Sequence, residues 1–328
     1  LLPGPPLIRT NDVFYQTVDL ERVSIPHADV QQRFFARVIA ALLADATPLP
    51  RLWYFPGASR TLLIPTGDSH TGAPAAFAAL IGAVENVGGH ITLYLARFLD
   101  LTGNPVATWL TDGHEVGMHP YFAADGYEGD FEQGYDVADT WFQSLPLTPS
   151  ATSRHHSLEW AGWVNPVSVM ATHGIRMDLS YYAWGPALDN PIRTSQAHGY
   201  LNGSGLPMKF VTATGQVLPV YQQHTALADE QLLDVDGPYS EDLSTADALA
   251  VSRQLIDASQ AGGYSAIATQ FHVDYYQFGH VQPWVDGTLA YAAGQQVPMW
   301  TAERWLRYTE HRAATAVGDI AWTPGTGV

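Results

Sequence analysis

Thr66-Gly67-Asp68-Ser69-His70 sets a carboxylate, a hydroxyl and an imidazole directly after the apolar run TLLIP. A turn at this point needs the glycine and at most the aspartate. A metal or hydrolytic site would use all three side chains. Similar residues close other apolar runs. His119 ends HEVGMH, and Arg154, His155 and His156 end ATSRHH. Asp178 lies in IRMDLS, and His272 and Asp274 end YSAIATQFHVD. Taken singly, each has a plain reading as a solvated loop histidine or a turn aspartate. Neighbours on a strand point to opposite faces, so one of His155 and His156 turns away from any common site. The joint pattern is what points to chemistry. A carboxylate among imidazoles suits a borderline divalent metal, zinc first, which makes water nucleophilic near neutral pH. A nearby carboxylate can take that water's proton, and an opposing histidine can protonate the leaving group. This is the equipment for metal-assisted hydrolysis of an amide or ester. His114 begins its run and reads as structural, as do His27, His90, His173, His198, His224, His280 and His311.

The elements that would position these residues alternate. RTLLIPTGD, GGHITLYLA, HEVGMH, ATSRHH, IRMDLSYY and YSAIATQFH read as strands. Helices are predicted in NPVATWLTDG, around 131–144, and in WVNPVSVMATHG with Gly174 past its end. STADALAVSRQLIDASQAGG is a helix capped by Ser244, with Asp247 in its first turn. A helix near 283–294, a short strand VPMW and a helix TAERWLRYTEHR capped by Thr301 close the chain. Strand-helix alternation implies a mostly parallel sheet with helices outside, and the number of units suits a (β/α) barrel better than an open three-layer sheet. In such folds functional groups gather at the carboxyl ends of strands, where the ionisable residues fall. PMKFVTATGQVLPVY reads as a β-hairpin insertion. Residues 1–58 form a leader, extended and proline-rich at first. It then carries an amphipathic helix with Val30, Phe34, Val38 and Leu42 on one face and start signals at Ser24 and Pro26. The barrel domain spans 59–328.

Composition bounds the partners. Of 328 residues 46% are hydrophobic and 14% charged, enough for a full core and too few charges for disorder. A formal net charge of −17 argues against nucleic acid and anionic membranes. The absence of cysteine excludes disulfides, thiolate metal sites and a cysteine nucleophile. No run is long and apolar enough to span a membrane. LLPGPPL is too short and proline-rich for a signal sequence, so the expectation is a processed chain or a piece of a longer one, extracellular or at the cell surface.

The motifs resemble those of the polysaccharide deacetylase (NodB-homology) superfamily. TLLIPTGDS resembles its first motif, a strand ending T-F-D-D-G, and GHEVGMHPY its second. SRHHSLEW occupies the place of its arginine-containing third motif, and AIATQFH resembles the last, which ends in the general-acid histidine. PLPRLWYFP, TGDSH, RHHSLEW, GIRMDLSYY and GSGLPMKF are closer still to a divergent, exported bacterial branch, over residues from about 8 to the C-terminus. The resemblance implies a distorted (β/α) barrel and a deacetylase of an N- or O-acetylated carbohydrate. It implies Asp68 as base, Arg154 as the residue orienting Asp68 or the substrate, and His272 as general acid. Tyr121, Trp160, Asp178, Tyr182 and Asp274 are the candidate substrate contacts. Two family ligands are replaced: Ser69 stands for a metal-binding aspartate and Ala123 for a histidine. Metal would then fall to His119 with His70, His156 and Asp68. The rival expectation is a decayed site: a glycan-binding module, or a surface protein assembling through its leader.

Overall fold

In the computed structural model, residues 26–44, 50–123, 126, 129–145, 147–157, 159–160, 162–182, 203–233, 235 and 240–319 are described. Most of the extended part of the leader, including Ser24, lies outside them.

The first strand is split by Pro65, which has no N–H for a ladder. Its first half, β1 (Leu62–Ile64), pairs in parallel with β10 (Ala266–Gln270), which in turn pairs with β9 (Thr225–Ala228). Its second half, β2 (Thr66–Ser69), pairs in parallel with β3 (Thr92–Leu95). Parallel pairing then runs through β4 (Glu115–Met118), β5 (Thr152–Ser153) and β6 (Met177–Asp178) to β8 (Val217–Gln222). Two contacts draw these sheets into a ring. Tyr182 bridges to Thr225, and the Phe271 and Val273 amides donate to the Thr66 and Asp68 carbonyls. β7 (Met208–Val211) lies antiparallel on β8, so the expected hairpin is present at the sheet margin.

Side chains alternate across this wall as a period of two requires. Leu62 and Ile64 join an inner cluster with Tyr94, Met177, Ala266 and Ala268, whereas Leu63, Leu93 and Ile267 join the outer core beneath the helices. Outside lie α2 (Pro74–Glu85), α3 (Val106–Thr111), α4 (Phe131–Gln143), α5 (Asn165–Thr172), α7 (Thr245–Ala258) and α8 (Val281–Gly294). A short helix, α6 (Asp229–Leu232), follows β9. Ser244 caps α7 by accepting from Asp247 N–H, as its sequence predicts. α9 (Ala302–Ala314) closes the amino end of the barrel, with Trp305 stacked on Phe55.

The Thr301 hydroxyl does not cap α9. It donates to Glu115 at the start of β4, and the other Glu115 oxygen takes the Glu303 N–H. A carboxylate from the sheet thus satisfies a free amide at the helix start. VPMW contributes a single bridge, Leu63 to Met299, rather than a strand. The leader helix, α1 (His27–Leu43), forms where the apolar spacing placed it, but Phe34 and Leu42 are 60% and 78% exposed. Its polar residues tether it: Arg33 donates to the carbonyls of Gly262 and Gly263, and Asp29 accepts from Ser204 N–H. The apolar stripe therefore predicted the helix correctly but not a packing face on this barrel.

Candidate functional site

Strand alternation brings the polar residues to the carboxyl mouth. On β10 and just beyond it, Ala266, Ala268, Gln270 and His272 share the inner face. On the first strand Gly67 faces outward and Asp68 inward. Gly67 is required sterically, because a Cβ there would lie 2.3 Å from the Phe271 carbonyl oxygen. This close approach of β2 to β10 carries Asp68 to His272. Asp68 is buried, with Oδ2 3.4 Å from His119 Nε2, 3.4 Å from His272 Nε2 and 3.2 Å from Gln270 Nε2. Its Oδ1 faces Arg154 Nη1 at 3.4 Å.

Arg154 is itself fixed, donating to the Leu179 and Thr269 carbonyls and the Thr225 hydroxyl. Burial alone would raise the Asp68 carboxyl, but His272, His119, Arg154 and His70 together hold it well below the usual carboxylate range.

The imidazoles divide by role. Burial lowers His119 to about 3, against the opposing pull of Asp68, so its ring is neutral. Its Nδ1 donates to the Arg154 carbonyl at 2.7 Å. That bond fixes the tautomer and leaves the Nε2 lone pair facing Asp68 Oδ2, with no hydrogen between two acceptors. His70 is also lowered, by burial first and then by His272. Its Nδ1 lies 3.4 Å from Asp274 Oδ2. Neither His70 Nε2 nor His119 Nε2 has a hydrogen-bond partner among the described residues. Asp68, His70 and His119 bring one ligand atom each within 4.8 Å of one another. With the outer nitrogens of both imidazoles engaged, these three residues could hold a divalent cation between them.

His272 behaves in the opposite way. Burial opposes its charge, yet Asp68, Asp229 and Glu230 outweigh burial and raise it to about 10. Asp229 takes both its backbone N–H, at 2.7 Å, and its ring Nδ1, at 2.6 Å. Its Nε2 lies between two carboxylates, 3.4 Å from Asp68 Oδ2 and 3.7 Å from Glu230 Oε2.

Of the other expected residues, some border this group and some lie apart; the His156 ring is 5.5 Å from that of His70 and 5.7 Å from that of His119. His156 stands outside the metal group: its ring lies flat on Tyr121, with centroids 4.0 Å apart. Tyr121 walls the site, edge-on to His119 and His70. His155 is the neighbour that turns away, between Phe122 and Phe131. Asp274 grips the backbone of His70 and Thr71 as well as the His70 ring. Tyr182 reaches the site through Glu230, to which its hydroxyl donates. Asp178 is buried and accepts from Ser180 N–H and Oγ. Trp160 stacks on Phe210 of the hairpin. The Ser69 hydroxyl donates to the Thr71 carbonyl.

Asp229, Glu230 and Gln270 do not stand out in the sequence. TALADE obeys the rule that exposed the other residues, a short apolar run ending in acids, but it is only four strand residues long.

No family model and no curated protein sequence matches the chain. Solved structures match its fold, a distorted α/β barrel. A protein assigned as a polysaccharide deacetylase from Mycobacterium smegmatis superposes with TM-score 0.55 at 14% identity, covering 84% of this chain and 98% of that one. Another so assigned, from Pseudomonas aeruginosa PAO1, gives 0.55 at 15% identity, covering 83% and 97%. Puue allantoinase gives 0.57 at 14% identity, covering 84% and 97%. The chain thus has the NodB-type fold that its motifs resemble.

Proposed function

We propose that this barrel is a metal-dependent hydrolase that removes an acyl group from an N- or O-acylated carbohydrate. One observation carries the reading. Asp68, His70 and His119 converge on a shared point, with both inner imidazole nitrogens unpartnered, beside a histidine that keeps its proton at neutral pH. Those three residues would hold the cation, zinc being the first candidate. When bound, such a cation supplies Lewis acidity and lowers the pKa of water.

The chain's own residues do the rest. Arg154 and Gln270 lock the Asp68 carboxylate so that it enters the site charged and aimed. His272 presents a proton on Nε2 to the leaving group, and Asp229 holds the ring for that transfer. Tyr121 and Tyr275 narrow the mouth around the imidazoles. A carbohydrate as the carrier of the acyl group is supported by the fold shared with proteins assigned as polysaccharide deacetylases. We place the protein outside the cell or at its surface, with residues 1–58 as a leader to the barrel. Zero cysteine and an acidic balance support that setting. Among the described residues no helix is long and apolar enough to cross a membrane.

The test is metal content after extensive dialysis, with acetate release from N-acetylchitooligosaccharides and acetylated xylan measured on the same samples. The expected result is about one equivalent of metal, lost in His119→Ala and His70→Ala together with acetate release. A parent protein that takes up no zinc even on incubation would sink the reading. It would leave a glycan-binding or assembly protein on this fold.

A further inference from the structure

We propose that Glu230, held by Tyr182, makes this site select an amine leaving group, so that N-acyl amides are cleaved in preference to O-acyl esters. The inference rests on the hydrolase reading above. Glu230 Oε2 lies 3.7 Å from His272 Nε2, the nitrogen that delivers the leaving-group proton. The Tyr182 hydroxyl occupies the other oxygen, Oε1, which leaves Oε2 on the His272 side. The Glu230 side chain is 15% exposed.

Hydrolysis of an amide adds water oxygen to the acyl carbon and breaks the C–N bond, whose electron pair leaves on nitrogen. Both water protons end on that nitrogen, one of them relayed through His272, and the products are a carboxylate and an ammonium. Throughout this sequence the nitrogen carries N–H bonds. A nitrogen that approaches His272 Nε2 from the Glu230 side comes within hydrogen-bond reach of Glu230 Oε2 as well, because the two atoms are 3.7 Å apart. The carboxylate accepts from the N–H in the adduct and pairs with the ammonium in the product. An ester oxygen brings no hydrogen. Its lone pairs would face the carboxylate, and a partly desolvated acceptor would stay unpaired. Sites built to bind a donor reject analogues that lack it far more strongly than apolar pockets reject a missing methylene.

The experiment compares 4-nitroacetanilide with 4-nitrophenyl acetate on zinc-loaded parent, Glu230→Leu, Glu230→Gln and Tyr182→Phe. The amide-to-ester ratio of kcat/KM should fall at least about tenfold in Glu230→Leu and by less in the other two. A merely structural role lowers both activities and keeps the ratio, and an unchanged ratio overturns the proposal while leaving the hydrolase reading intact. Glucosamine and glucose are titrated by NMR on the same proteins, which needs no turnover. Tighter binding of glucosamine, lost in Glu230→Leu, supports amine recognition even if neither chromogenic probe is cleaved and the hydrolase reading falls. Equal binding of the two sugars overturns it.

Discussion

His272 is tied to Asp229 at two points, by its backbone N–H and by its ring Nδ1. The double bond to one carboxylate fixes both where the ring sits and which way it faces. It also contributes to a pKa of about 10, with Asp68 and Glu230. Replacing Asp229 with asparagine keeps the shape and removes the charge. The His272 titration, followed through its ring nitrogens by NMR, should shift down from about 10. Acyl release should fall about a hundredfold or more if His272 is the proton donor. A midpoint that stays put would show that Asp229 does not support the charge.

Asp274 relates to His70 as the Arg154 carbonyl relates to His119: each engages the outer nitrogen of an imidazole whose inner nitrogen faces the site. Asp274 also fixes the turn, through Thr71 N–H and Oγ1. Asp274→Ala should therefore weaken zinc binding about 10- to 100-fold in competition with a chelating dye. Asp178→Asn, at a carboxylate engaged by Ser180 instead, should leave zinc affinity within about threefold. Equal losses in the two variants would mean that global stability, not the His70 ring, had been read.

The strand ends were legible because a parallel barrel collects its ionisable groups at one face, and Asp68, His119, Arg154 and His272 announced themselves there. What sequence spacing could not supply was the side-chain direction beyond each strand. His156 has the right residue type and the right side of its strand, yet Tyr121 offers its ring a stacking surface, and it lies there instead of in the metal group. Asp229 and Glu230 escaped because β9 is too short to show a periodicity. The capping of α9 by Glu115 was equally hidden, since the carboxylate comes from a strand far away in the chain. The leader before α1 and the segment 183–202, with His198, lie outside the described residues.

Gly67 explains why the motif begins as it does, and it gives a stability prediction independent of any activity. Alanine would set a Cβ 2.3 Å from the Phe271 carbonyl oxygen and 3.5 Å from Leu80 Cδ2. The oxygen belongs to backbone that also receives β2, so it cannot rotate aside. Gly67→Ala should cost roughly 1–3 kcal/mol, as overpacked cores do, read as a lower denaturant midpoint. Zinc affinity should fall as well, because Asp68 follows directly. Gly82, on the outer helix α2, has no heavy atom within 4 Å of the point an alanine methyl would occupy, and should accept alanine without loss.

His224, 5% exposed beside the start of β9, supplies a pH dependence separate from the metal group. Burial lowers it from 6.5 to about 4, with the Tyr181 backbone opposing. In the unfolded chain the ring takes a proton below about pH 6.5, whereas in the folded chain it does so only below about pH 4. Between those values the unfolded state binds more protons, so stability falls as pH drops through the window and is flat above it. At about 1.4 kcal/mol per pH unit, the loss attributable to this ring reaches roughly 3 kcal/mol by pH 4. His224→Gln removes the titration. The parent should therefore lose more stability than the variant between pH 7.5 and pH 4.5, measured as denaturant midpoints. Carboxylates elsewhere titrate in both proteins and cancel in the difference. A parent-minus-variant difference that stays constant across that range would show that the His224 ring is already solvated or paired in the folded state.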